Sequence, residues 1–118
     1  MHEMSIALSV VDIVADYARR NGAERVRRVT VEVGALSGVV PEALAFAYDE
    51  AAAGSLAEGS ELTLVAIPSA ARCRACGHAF APDYHIFVCP ACGSLETQLT
   101  AGEELAVTEM EVDDAEDH

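Results

Sequence analysis

Cys73-Arg74-Ala75-Cys76-Gly77 and Cys89-Pro90-Ala91-Cys92-Gly93 carry one pattern twice, with twelve residues between Cys76 and Cys89. Zinc takes four tetrahedral soft ligands, and a two-residue spacing lets one tight turn present both sulfurs to the same ion. Gly77 and Gly93 stand where such a turn needs a positive φ, which glycine adopts without steric cost. Two other readings use the same residues. A pair of disulfides is disfavoured in a cytoplasmic setting, and a redox-active Cys-x-x-Cys wants one motif opening a helix after a strand. The expectation is a four-cysteine zinc ribbon over residues 70–97, held by Cys73, Cys76, Cys89 and Cys92. His78 could replace one thiolate in a set of three cysteines and a histidine, but with four cysteines at suitable spacing it is expected as hydrogen-bonding support or a solvated loop residue. His85, in Tyr84-His85-Ile86-Phe87-Val88, reads as part of a short strand leading into the second pair. His118 reads as solvated.

Outward from the ribbon, the pattern alternates helix and strand. From Met4 to Arg20, apolar residues recur at Met4, Leu8, Val11, Ala15 and Ala18, widened by Val10 and Val14, and Asn21-Gly22 supplies a stop. On the charged face, Asp16 and Arg20 form an i,i+4 pair. Val29-Thr30-Val31-Glu32-Val33 alternates as a half-buried strand does, ending at Gly34. Pro41 fits the first position of a second helix and Glu42 its positive end, with Leu44, Phe46, Tyr48, Ala51 and Ala52 carrying it toward Gly54. Glu61 to Ile67 reads as a strand closed by Pro68, and Glu104 to Val112 as a return strand. The expected fold is therefore α+β: a small mixed three-stranded sheet with two helices, plus an inserted four-cysteine zinc-ribbon module. The expected division is residues 1–69 with 98–112 as one domain, 70–97 as the ribbon, and 113–118 as an acidic disordered tail.

The 118 residues, 52% hydrophobic, suffice for one ordinary domain or two very small ones. Twenty acidic residues oppose seven arginines, the chain has no lysine, and the formal charge is −13. Nucleic-acid binders gain most of their affinity by neutralising phosphates, and only Arg25, Arg27 and Arg28 cluster here, so nucleic acid is not an expected partner. Apolar stretches fall well short of the roughly 20 residues of a membrane span. Met1-His2-Glu3-Met4 lacks a basic start, and Asp12 and Asp16 interrupt the apolar run of a would-be signal peptide, which points to the cytoplasm. No glycine-rich phosphate loop or nucleophile elbow is present, so an enzyme is not expected.

The start of the chain offers a second metal chemistry. With Met1 retained, its α-amino nitrogen, the His2 amide and the His2 imidazole can close adjacent chelate rings, with the Glu3 amide or carboxylate as a further ligand. A nitrogen-rich, nearly planar set suits Ni(II) or Cu(II) rather than zinc. The Met-His-Glu start, the amphipathic helix after it and the late double Cys-x2-Cys ribbon together resemble the HypA/HybF family of hydrogenase maturation nickel metallochaperones, over nearly the whole chain except the acidic tail.

That resemblance implies a nickel carrier that is not a catalyst. It places Ni(II) on Met1, His2 and Glu3 and a structural zinc on Cys73, Cys76, Cys89 and Cys92. It also implies two partners, a nickel-handling GTPase of the same pathway and the large subunit of a [NiFe]-hydrogenase, some relatives serving urease; the chain would act as a monomer or a homodimer. Some members offer an acidic side chain near the start of the second helix as an extra nickel ligand. In Val40-Pro41-Glu42 only Glu42 is a rough equivalent. A zinc-ribbon regulatory or adaptor protein acting by docking is the competing reading. It would share the cysteines and have no need of His2.

Overall fold

Helix α1 spans His2–Arg20, two residues longer at its start than the apolar periodicity suggests. The computed structural model describes residues 2–82 and 86–114, leaving aside the side chains of His2 and Asp114. Ala7, Val10, Val11, Val14, Ala15 and Ala18 form the buried stripe of α1. Leu8, expected in that stripe, is 47% exposed, because at 100° per residue it sits about a quarter-turn from the stripe's centre and Ala7 occupies the inner position. The stop is built as expected: the Asn21 side-chain amide donates to the Tyr17 carbonyl at 2.8 Å, and Gly22 turns with φ +76°.

Strand β1, Ala23–Gly34, begins six residues before the alternating run. Val29, Val31 and Val33 are buried as the alternation requires, and Val26 is buried three residues earlier. That three-residue step breaks the period of two and leaves Arg27 and Arg28 both exposed. Helix α2, Pro41–Ala52, follows with proline in its first turn. Leu44, Ala47, Tyr48 and Ala52 are its buried face, and α1 packs on α2. Phe46, one of the apolar residues read as carrying this helix, is 82% exposed, since the inward row runs through 44, 47–48 and 51–52. The buried Tyr48 hydroxyl bonds the Ser60 hydroxyl at 2.6 Å, and burial pushes the phenol's pKa up.

Strand β2, Glu61–Ile67, has the bounds expected of it. In the mixed three-stranded sheet the order is β2-β1-β6, with β6 spanning Leu105–Asp114. Asp113 and Asp114 thus belong to a strand, although they open the acidic run set apart in the sequence; residues 115–118 lie outside the described residues. Arg28 on the central strand reaches Glu61 of β2 at 3.0 Å and Glu111 of β6 at 3.4 Å, and Arg27 reaches Asp113 at 3.5 Å. The Glu61 hydrogen bond first, then the Glu111 charge, raises the Arg28 pKa above its ordinary value.

The remaining strands are β3 (Ala70–Cys73), β4 (Ala79–Phe80) and β5 (Thr97–Ala101). They form a second sheet ordered β4-β3-β5, antiparallel throughout, with Arg72 opposite both Ala79 and Gln98 and Cys73 opposite Thr97. Residues 86–88, expected as a strand, have no regular structure, since β3 finds its two ladder partners in β4 and β5. The Phe87 carbonyl instead accepts the Thr97 hydroxyl at 2.6 Å. Tyr84 and His85 lie outside the described residues.

By contact the chain falls into two units, one drawn from Met1–Val31, Val39–Val65 and Ala106–His118, the other from Glu32–Gly38 and Ala66–Leu105. Within the second unit Gly34 donates to the Glu104 carbonyl at 2.7 Å and Leu36 to that of Gly102 at 2.6 Å. A Cβ on Gly34 would collide with the Gly102 and Glu104 backbones, so only glycine allows this approach.

Candidate metal centre

The two cysteine turns are duplicates in their backbone bonding. In the first, Cys73 N–H donates to the His78 carbonyl at 2.9 Å and Gly77 N–H to the Cys73 carbonyl at 2.9 Å. In the second, Cys89 N–H donates to Ser94 at 3.0 Å and Gly93 N–H to Cys89 at 2.8 Å. The same offsets of five and four residues recur, and Gly77 and Gly93 adopt φ +79° and +76°. One local sequence pattern, a cysteine pair followed by glycine, closes the same turn both times.

The turns bring all four sulfurs together, each within 4.8 Å of the others. Cys73 Sγ lies 3.6 Å from Cys92 Sγ, and Cys76 Sγ 3.7 Å from Cys89 Sγ. Four sulfurs about 2.3 Å from one zinc ion define a tetrahedron with edges of about 3.8 Å, so both distances fit that ion. They are far too long for S–S bonds, and the cysteines are free. Cys73 and Cys89 are buried while Cys76 and Cys92 face outward.

The thiols differ in acidity. Cys73 is lowered to about 7, chiefly by the Cys76 backbone N–H and further by that of Ala75 and by its neighbouring thiols. At Cys76 the His78 N–H pulls the pKa down, but burial and the Cys89 thiol outweigh it and the net shift is upward. Cys92 is pushed up to about 12: the Ser94 N–H favours its thiolate, yet Cys73, burial, Cys76 and Cys89 together oppose it. One negative charge is readily held at this cluster, and further thiolates need a cation.

His78 contributes its backbone, not its ring. Its carbonyl and amide support Cys73 and Cys76, and its imidazole stacks on Phe80 with centroids 6.2 Å apart and planes 8° from parallel. Among the described residues, the group able to hold a metal consists of the four cysteines.

At the other candidate site, α1 begins at His2, and the Glu3 carboxylate accepts the Val40 N–H at 3.3 Å. Glu3 therefore meets Val40, the residue preceding Pro41, which stands at the cap of α2 and makes no side-chain capping hydrogen bond. Glu42, on the first turn of α2, is exposed. Met1 and the His2 side chain lie outside the described residues. Sequence reasoning missed the Val40 amide because a backbone donor leaves no mark on residue type; the missing cap before Pro41 was its only signal.

The whole chain also has recognisable relatives. The family model for HypA, described as hydrogenase/urease nickel incorporation metallochaperone, matches residues 1–112. Hydrogenase maturation factor HypA of Chlorobium limicola is 43% identical over 116 residues, covering 98% of this chain and 100% of that protein. The factor of the same name from Acidithiobacillus ferrooxidans is 42% identical over 113 residues, covering 96% and 100%. The solution structure of the Ni metallochaperone HypA from Helicobacter pylori matches with a TM-score of 0.68 at 25% identity, covering 95% of this chain and 97% of that one. A second HypA solution structure matches with a TM-score of 0.71 at 27% identity, covering 95% and 96%. A chain matched along its length by this family, and carrying the four-cysteine cluster, belongs to the HypA family of hydrogenase and urease nickel-incorporation metallochaperones, and is a metal carrier, not an enzyme.

Proposed function

We propose that the protein binds Ni(II) at its N-terminus and delivers it for maturation of a [NiFe]-hydrogenase, while a structural zinc ion holds the ribbon. The observation that carries this reading is the family match over residues 1–112, which includes the Met1-His2-Glu3 start. Nickel is cargo. The Met1 α-amine, the His2 amide and imidazole, and the Glu3 amide would supply a nitrogen-rich set suited to a d8 cation. The Glu3 carboxylate, bonded to Val40 N–H, supports this assignment by tying the start of α1 to the start of α2. In that arrangement Glu3 offers the metal its backbone and uses its side chain as an anchor.

Zinc fits Cys73, Cys76, Cys89 and Cys92 through the sulfur spacing, and as a structural ion it would neutralise thiolates that the free cluster cannot all sustain. The partners of this reading are a nickel-handling GTPase and the hydrogenase large subunit, and its compartment is the cytoplasm. Among the described residues no helix is long and apolar enough to cross a membrane.

The test is equilibrium nickel binding by untagged protein beside His2→Ala. The expected result is one nickel per chain, lost in His2→Ala with zinc content unchanged. Unaltered nickel binding in that variant overturns the site and favours a zinc-ribbon adaptor.

A further inference from the structure

In the first unit, β6 is an edge strand: among the described residues its neighbour in the sheet is β1 alone. Along it runs an open groove of about 360 Å³, with α1 forming the opposite wall. Val14 is the buried floor, and Ile13 and Tyr17 stand on the α1 wall at 58% and 60% exposure, with the consecutive β6 residues from Val107 to Met110 lining the other side. Large apolar side chains gathered on an open wall beside an unpaired strand edge are the two components of strand addition. The edge supplies main-chain hydrogen bonds and the wall accepts alternate side chains.

Charge selects the occupant. The ionisable residue on the strand side of the groove is Glu109, which makes no ion pair or side-chain hydrogen bond among the described residues. Glu111 and Asp113 follow at every second position, placing three carboxylates on one face of β6, and Arg28 and Arg27 reach only the last two. A second copy pairing edge to edge would set this acidic row against itself. A strand with apolar side chains toward Ile13 and Tyr17 and basic ones beside Glu109, Glu111 and Asp113 matches both faces at once. The chain's charge of −13 favours the same partner at long range.

We propose that the β6 edge and the α1 groove receive an extended segment of a partner protein, with alternating apolar and basic residues, as an added strand. This rests on the geometry of the first unit and is independent of nickel binding.

The experiment uses the full chain and a blocked peptide of alternating Arg and Val, seven residues long. Two control peptides carry Glu in place of Arg, or N-methyl groups on every residue. Amide NMR and hydrogen exchange locate binding, and fluorescence anisotropy of labelled peptide measures it. The Arg-Val peptide is expected to shift amides of residues 107–113 and 13–17 and to slow exchange along β6. The Ile13→Ser/Tyr17→Ser variant, altered only at exposed positions, should weaken binding at least about tenfold. Glu109→Arg should weaken it without touching the apolar wall. Equal binding of the N-methylated peptide, shifts scattered over the acidic surface, or full affinity in both variants each overturns the proposal. Concentration-dependent self-association that protects β6 also overturns it, by making a second copy the occupant.

Discussion

In the proposed function the cysteine ribbon and the N-terminal end face the same problem, holding a metal, and would solve it by opposite means. In the ribbon, two nearly identical turns each close through bonds four and five residues apart, so local sequence dictates each half and a short antiparallel sheet brings the halves together. At the N-terminus the donors proposed for nickel are mostly backbone nitrogens, and the start of α1 is tied down by a contact across 37 residues, from Glu3 to Val40. The first arrangement would make a bound metal part of folding, because the clustered thiols cannot all ionise without a cation. The second, as proposed, would leave the fold standing whether or not the metal is present, as suits a cargo that must be released.

The comparison breaks most visibly at the cysteines. Cys76→Ala or Cys92→Ala should lower zinc content to well below one per chain and disorder β3 to β5, while α1, α2 and the sheet β2-β1-β6 persist; zinc analysis with far-UV circular dichroism and amide NMR checks both halves. Full zinc in both variants would remove these residues from the ligand set. Zinc uptake should also fall as pH drops below about 7, because Cys73, lowered to about 7, then becomes protonated, while Cys76 and Cys92 are shifted upward and hold their protons more tightly. Proton release on zinc addition, followed with an indicator dye, measures that linkage.

Next in size are changes at the chain start. A Gly-Ser leader before Met1 turns the α-amine into an amide, and it should weaken nickel binding at least as much as His2→Ala, by about tenfold or more, the range seen even for supporting contacts. Zinc content should stay at one. Nickel affinity of the unaltered chain should rise from pH 6 to 8, since an α-amine of pKa about 7.7–8.0 and an imidazole of about 6.5 must both lose protons to bind. Unchanged affinity with the leader would exclude the amine and require a site built from side chains.

The smallest expected effect sharpens the role of the Glu3 side chain. Glu3→Gln keeps an acceptor for the Val40 N–H and Glu3→Ala does not. If the carboxylate anchors and does not ligate, Gln should preserve nickel affinity while Ala lowers it, with about 0.5–1 kcal/mol lost from thermal stability, as for a helix cap. Equal loss in both would make the carboxylate a ligand.

The sequence by itself determined whatever depends on near neighbours along the chain. The cysteine turns, the Asn21-Gly22 stop, the start of α2 at Pro41 and the bounds of β2 all follow from spacing or from one residue's backbone preference, and all are found where they were read. Tertiary structure decided which side of each element faces inward. Leu8 and Phe46 are as apolar as their buried neighbours, yet both lie outside, because a helix has room for one inner stripe and the packing of α1 on α2 chose it. The stretch 86–88 is β-prone but joins neither sheet, since a strand exists only where a partner offers its edge, and β3 had filled both of its own. The bond from Val40 to Glu3 belongs to the same class: a backbone amide is identical at every position, so only the folded chain could say which one the carboxylate would meet.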